Sequence, residues 1–212
     1  MNRYHRSTAG ALCLRCVFPL LMTALCAGQE APPRNELAFG LGGLTRHRRS
    51  DVPMLTLGPG VALQVNYGRR IWFTDTFALY GEVHFLASPS REITANTSVA
   101  THDVASLYIT PGIRLKLRPT SKISPYFAAG GGYAEYEQSR LQLDGRPNTA
   151  PRELSRAAVD FGVGSDFRVW RWIELRGELR DFYSGSPAYN VPSIRGGQHN
   201  VVAGGAIVFR WH

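Results

Sequence analysis

The sequence predicts an all-β fold: an eight-stranded antiparallel up-and-down β-barrel that crosses a membrane. Three observations predict it. Apolar and polar side chains alternate with a period of two through eight successive stretches. The connections between those stretches alternate between long and short, beginning with a long one. All four tryptophans, Trp72, Trp170, Trp172 and Trp211, fall at strand ends on the short-connection side. An even-numbered membrane barrel has short periplasmic turns, long outer loops and aromatic girdles, and its closure pairs every backbone group within lipid.

The chain opens with a basic stretch carrying Arg3 and Arg6, then the apolar run Val17 to Leu25, then Cys26-Ala-Gly28. That order is the pattern of a secretory signal peptide, and Arg15 leaves the run too short for a membrane anchor. Residues 1–28 are therefore expected to be removed, 29–34 to form a short periplasmic lead, and 35–212 to form the barrel. All three cysteines, Cys13, Cys16 and Cys26, lie in the discarded part. Its loss takes away three arginines, leaving 21 basic against 16 acidic residues, so the net charge falls from +8 to about +5. Much of the apparent basicity is targeting, and nucleic acid is not an expected partner of an exported chain.

The first strand, Glu36 to Gly43, sets Leu37, Phe39 and Leu41 against Glu36, Ala38 and Gly40. A basic loop, Thr45 to Leu57, follows with Arg46, His47, Arg48 and Arg49. The second strand, Val61 to Gly68, alternates Val61, Leu63, Val65 and Tyr67 with Ala62, Gln64 and Asn66. A short connection leads to the third, where Phe77, Leu79, Val83 and Phe85 oppose Tyr80, Glu82 and His84, and a long loop then runs from Ser88 to His102.

The fourth and fifth strands form the most regular hairpin, Val104 to Tyr136, around the turn Arg118 to Lys122. Leu107, Ile109, Pro111, Ile113, Leu115 and Leu117 share one face of its first arm. Pro111 lacks the N–H that a closed ladder needs, so a bulge is expected at Pro111-Gly112. In the return arm, Tyr126, Ala128, Gly130, Gly132, Ala134 and Tyr136 share a face with an aromatic at each end, which is expected to meet lipid. After a loop from Gln138 to Arg156, the sixth strand sets Val159, Phe161, Val163 and Phe167 against Asp160 and Asp166. The seventh runs from Trp172 to Arg180. A loop from Ser184 to Gly197 precedes the eighth, Asn200 to the end, whose apolar face carries Val201, Ile207, Phe209 and Trp211.

Alternation alone fits a soluble barrel as well, so the direction of the polar face must be argued. Turned inward, it gathers Arg70, Arg114, Lys116, Arg118, Arg168, Arg176, Arg180 and Arg210 against Glu36, Glu82, Glu135, Glu137, Asp160, Asp166, Glu174 and Glu178. The two sets are equal in number, and an eight-stranded interior is just wide enough for side chains to fill. An interior ion-pair network is expected. With the first strand running outward, Trp72, Tyr126, Trp170, Trp172 and Trp211 form the periplasmic girdle, and Phe85, Tyr136 and Tyr183 a sparser outer one.

These stretches resemble the eight-stranded outer-membrane barrel families typified by the OmpA transmembrane domain, OmpX, Ail and the opacity proteins, over about Asn35 to His212. The likeness is carried by Pro125-Tyr-Phe-Ala-Ala-Gly-Gly-Gly-Tyr133 and by the aromatic-ended last strand. The resemblance implies an outer-membrane location and recognition by the assembly machinery through Phe209 and Trp211, although His212 follows the terminal aromatic here. It implies lipid and lipopolysaccharide as surroundings and a monomer as the form.

Residues that could carry chemistry are few. No His pair has metal-ligand spacing, and no helix follows Gly40-Leu-Gly-Gly43, Gly130-Gly-Gly132 or Gly162-Val-Gly164 to make a phosphate cradle. His102-Asp103 with Ser106, and His47 with Ser50 and Asp51, lack catalytic spacing. No enzyme activity, cofactor or metal is expected. The expected role is surface interaction, adhesive or protective, with Arg46, His47, Arg48 and Arg49 offered to phosphates or to a host or glycan partner. A narrow solute pore is the alternative, and a lipid-modifying enzyme comes third.

Overall fold

The computed structural model describes residues 33–49, 54–194 and 196–212. The expected signal peptide, its cysteines, most of the periplasmic lead, Ser50 and Asp51 lie outside the described residues. Ten strands run in chain order: β1 (Asn35–Leu44), β2 (His47–Arg49), β3 (Leu55–Leu57), β4 (Gly60–Phe73), β5 (Phe77–Ala95), β6 (Asp103–Leu117), β7 (Ile123–Gln138), β8 (Glu153–Trp170), β9 (Ile173–Gly185) and β10 (Gly197–Trp211). Eight of them, all but β2 and β3, pair antiparallel with their neighbours, and β1 closes on β10 from Asn35↔Trp211 to Leu44↔Val202. The ring is an eight-stranded up-and-down barrel.

The remaining two strands occupy what reads in the sequence as a plain basic loop. β2 and β3 form a small hairpin, and β3 pairs with the outer end of β5. β5 can reach it because a register shift between Ser88 and Arg91 lets the strand leave the wall while keeping both side chains buried. A bulge inserts residues without ending a strand, and this one turns Arg91 inward.

Pro111 is accommodated without the expected bulge. Its pairing to β5 is continuous through Val83↔Pro111 and Glu82↔Gly112. On the β7 side the ladder is interrupted between Ile109↔Tyr133 and Gly112↔Gly130 and resumes in the same register. Glycines absorb the missing bond by close approach: a Cβ on Gly112 would collide with the carbonyl of Ala129, and one on Gly132 with that of Ile109.

The outward face is apolar around the ring, with Phe39, Leu41, Leu63, Ile113, Phe127, Phe161, Leu179 and Ile207 all exposed. Trp72, Trp170, Trp172 and Trp211 are exposed at the short-turn end, where Trp72 packs on Phe77 and Trp172 stacks on Phe209. So large an apolar surface is what a bilayer, not water, accommodates. No helix among the described residues is long and apolar enough to cross a membrane.

Tyr126 and Tyr136 correct the expected lipid face of β7. Both are almost wholly buried inside the barrel, and the outward residues of β7 are Phe127, Ala129, Gly131 and Tyr133. Both faces of this strand carry aromatics around small residues, so the pattern could not choose between them. Two phenol hydroxyls that find partners inside decide it.

Gly132→Val is expected to abolish recovery of the compact barrel band on unheated gels, because the strand pair cannot separate at Ile109. Gly131→Val, whose Cβ would meet nothing nearer than 3.9 Å, is expected to refold normally.

Candidate functional site

The barrel interior below the outer rim is a continuous charge network. Lys116, on β6, stands among three carboxylates from three other strands, with Nζ at 2.7 Å from Glu36, 2.6 Å from Asp166 and 3.0 Å from Glu174. Their oxygens approach one another closely enough to hold a metal ion, but the Lys116 ammonium supplies the cation there. Arg176 meets Asp166 at 2.7 Å and Glu36 at 3.2 Å, and Arg114 meets Glu36 at 2.7 Å. Arg180 gathers Asp160 at 2.5 Å, Glu82 at 2.9 Å and Glu178 at 3.2 Å. Arg210 closes the lower end on Glu174, with Arg168 at 3.8 Å.

Aromatic rings are built into this network. Tyr126 donates to Glu178 at 2.6 Å, and its ring lies 5.4 Å from the Arg114 guanidinium and 5.0 Å from that of Arg176. Gly164 stands opposite Tyr126 in the β7–β8 register, and a Cβ there would fill the space of the phenol. Beside the network a cavity of about 20 Å³, lined by Gln64, Asn66, His84, Arg176 and Glu178, has room for one water.

Four expected members of the network lie elsewhere. Glu135 and Glu137 are on the outward face of β7, above the apolar belt, where Glu135 accepts from Ser155 and Glu137 pairs with Arg152. Once Tyr126 points inward, the odd-numbered residues of β7 must point out. Arg118 is exposed in the lower turn, with a positive φ of 47°. Arg70 lies half-buried over the ring of Phe73.

Above the charges lies a neutral polar layer. Tyr108 and Tyr136 share a hydrogen bond of 2.7 Å, and Asn200 donates to Tyr108 at 2.8 Å. Tyr189 donates to Gln198 at 2.5 Å. Arg91 donates to Asn200 at 2.6 Å, to the Thr45 carbonyl at 2.8 Å and to the Gly58 carbonyl at 3.0 Å. Burial pulls its proton affinity down and that of the Tyr189 hydroxyl up. Three segments distant in sequence meet on this one side chain, which nothing in the local pattern signals.

A hydrophobic cap closes the mouth. Leu55, Leu57, Ile93, Tyr189, Val191 and Ile194, from three of the outer connections, bury against Leu44, Phe182 and Val202 of the wall. The loops are tied together as one body. Asn96 N donates to Met54 O, Thr101 N to Tyr189 O, His102 N to Leu141 O and Leu143 N to Ala100 O. Tyr189 and Asn190 hold positive φ angles of 49° and 62°, and the Asn190 side chain anchors on Val99 O at 2.7 Å.

On the surface, Arg46 and Arg48 are exposed and His47 is half-buried in β2; the Arg49 side chain is outside the described residues. Arg48 contacts Met54 Sδ at 2.9 Å. His102 and Asp103 pair at 3.1 Å on the outside, whereas Ser106 points into the barrel, so these three do not converge. A different pair does: His199 on β10 donates from Nδ1 to Asp181 on β9 at 2.6 Å, on the outer wall. Only the β9–β10 register brings them together, and no spacing in the sequence signals it.

A closed ring of this topology, with an apolar outside and a charged, filled inside, defines the eight-stranded outer-membrane β-barrel fold. Among solved structures, Neisserial surface protein A matches over 86% of this chain and 100% of its own, at 12% identity and a TM-score of 0.51. The outer membrane enzyme PagL matches over 82% and 99%, at 15% identity and a TM-score of 0.49. Ail of Yersinia pestis, in complex with the heparin analogue sucrose octasulfate, matches over 83% and 99%, at 14% identity and a TM-score of 0.45. At such identities the likeness is one of fold. No protein-family model and no curated protein sequence matches the chain.

Lys116→Met leaves Glu36, Asp166 and Glu174 facing one another in a dry interior. It is expected to cost about 3–5 kcal/mol, read as a lowered urea midpoint of the folded band in vesicles. Adding Glu174→Gln is expected to recover part of that loss.

Proposed function

We propose that the chain is exported by its N-terminal signal, inserted into an outer membrane by the assembly machinery that reads Phe209 and Trp211, and works there as a non-conducting barrel. Its outer cap is the working surface, in adhesion or envelope protection. The observation that carries this reading is the double closure of the barrel: paired charges fill the interior, and the outer connections form a single packed cap over it. A cap tied by backbone hydrogen bonds presents a fixed surface, which suits recognition better than passage. The role is non-enzymatic, and its surroundings are outer-membrane lipid and lipopolysaccharide.

The exposed Arg46 and Arg48, with Arg49 beside them in β2, form the part of that surface suited to phosphates or to an anionic host or glycan partner. The alternative role, a narrow pore, requires the cap to lift and the ion pairs to part. In planar-bilayer recordings the wild type is expected to give no steps in conductance; regular steps would transfer the assignment to the pore. Replacing Arg46, Arg48 and Arg49 together by Ser is expected to lower retention of vesicle-embedded protein on a sulfated polysaccharide resin, most clearly at low salt. Unchanged retention would remove this patch from the working surface.

A further inference from the structure

The two rims of the barrel differ in charge. At the long-loop rim basic and acidic side chains are mixed: Arg146 pairs with Asp144 and Arg152 with Glu137, and Glu92 and Glu153 are exposed, as are Arg46 and Arg48. At the short-turn rim Arg34, Arg69, Arg118, Lys122 and Arg171 are exposed, and Asp75 is the one exposed acidic side chain there among the described residues. Two cations of this end are held by neighbours. Lys122 lies over the Phe167 ring at 5.1 Å, and Arg168 donates to the carbonyls of Thr120 and Pro119. Arg69 differs: it stands on the outer wall with no side-chain hydrogen bond or ion pair to any described residue.

The register of β10, β1 and β4 sets Arg69 in a cross-strand row. Asn35 pairs with Trp211 on one side and with Arg69 on the other, and strand alternation turns all three side chains outward, in step with Phe39, Val65 and Tyr67. Two strand spacings put Trp211 and Arg69 about 10 Å apart, with Asn35 between them. Tyr67 donates its hydroxyl to Asn35 Oδ1 at 3.1 Å, and the Tyr67 and Trp211 rings lie 6.5 Å apart. With Oδ1 occupied, Asn35 offers its Nδ2–H groups, Trp211 its Nε1–H and Arg69 its guanidinium N–H groups. The row therefore presents donors and one positive charge, and no described residue supplies an acceptor to them. A phosphodiester, anionic and rich in acceptor oxygens, is the complement of such a set. The tryptophans place the row at headgroup depth, and above it Tyr67, Phe39 and Val65 form an apolar wall suited to acyl chains. A soluble anion would use the row but not the wall.

We propose that this row is the headgroup site for one net-anionic glycerophospholipid of the periplasmic leaflet, with its phosphate on Arg69 and Asn35 and its acyl chains along Phe39 and Val65. The proposal rests on the reading that the barrel lies in an outer membrane with its short turns towards the periplasm. A zwitterionic headgroup carries its own ammonium beside the phosphate, which competes with Arg69 for the phosphate charge and is repelled by the basic rim. A headgroup of the phosphatidylglycerol kind has neither drawback.

The test is native mass spectrometry of the full mature chain folded in detergent, offered phosphatidylglycerol and phosphatidylethanolamine of matched acyl chains in equal amounts. The wild type is expected to retain phosphatidylglycerol about tenfold better, the worth of one hydrogen bond to a charged group. Arg69→Gln, at an exposed side chain that holds nothing else in the fold, is expected to bring the two lipids close to parity. Lys122→Gln, which removes an equal charge from the same rim, is expected to keep most of the preference. Inorganic phosphate, an anion without acyl chains, is expected to displace neither lipid. Equal retention by the wild type, a preference that survives Arg69→Gln, or an equal loss in Lys122→Gln overturns the proposal. Displacement by inorganic phosphate also overturns it, by making the row a site for a soluble anion. Failure of the wild type to insert into vesicles as a heat-modifiable band overturns the outer-membrane reading instead, so the two failures are separable.

Discussion

Lys116 among Glu36, Asp166 and Glu174 is the contact on which the rest of the barrel depends. In a ring of eight strands the interior is too narrow for bulk water, so every inward charge must find its counter-charge within the wall. The three carboxylates come from β1, β8 and β9, and the ammonium from β6, so the contact spans the lumen and fixes how these strands stagger. Arg176 repeats the arrangement between Asp166 and Glu36, and Arg180 between Asp160, Glu82 and Glu178. Slipping any of these strands by one residue would put a carboxylate into lipid and an apolar side chain among charges. The network thus specifies register, whatever its net contribution to stability.

That constraint explains which parts of the fold are legible in the sequence. A strand that must be apolar outside and charged inside writes both requirements at alternate positions, so β4, β6, β9 and β10 can be read directly, with the tryptophans marking the lower edge. β7 cannot be read this way. It carries no inward charge, both its faces hold aromatics around small residues, and its glutamates stand on the outward side above the belt. The position of Tyr126 depends on Arg114, Arg176 and Glu178, residues of two other strands. Pro111 is similar: what accommodates it is Gly132 on the facing strand, and no local rule about proline includes the partner's glycine.

The cap was still less legible, for a different reason. Outer loops meet water on one side, so burial does not impose a regular period on them. Leu55 and Leu57 read as stray apolar residues in a basic loop until the bulge at Ser88–Arg91 carries β5 up to meet them. Arg91 then joins the carbonyls of Thr45 and Gly58 to Asn200, and the backbone at Tyr189 and Asn190 takes up a costly left-handed conformation that the bonds from Thr101 and to Val99 hold in place. Interactions between segments so far apart in sequence leave no local signature.

The two surfaces of the molecule are therefore under opposite demands. Inside, polarity is compulsory and charge is set against charge, although Glu82 Oε2 and Asp160 Oδ1 are enclosed there without a hydrogen bond. On the outer wall apolarity is compulsory, and a groove beneath Val201 departs from it at Asp181 alone. His199 relieves that departure by donating to Oδ2, and Oδ1 is enclosed with no hydrogen-bond partner among the described residues.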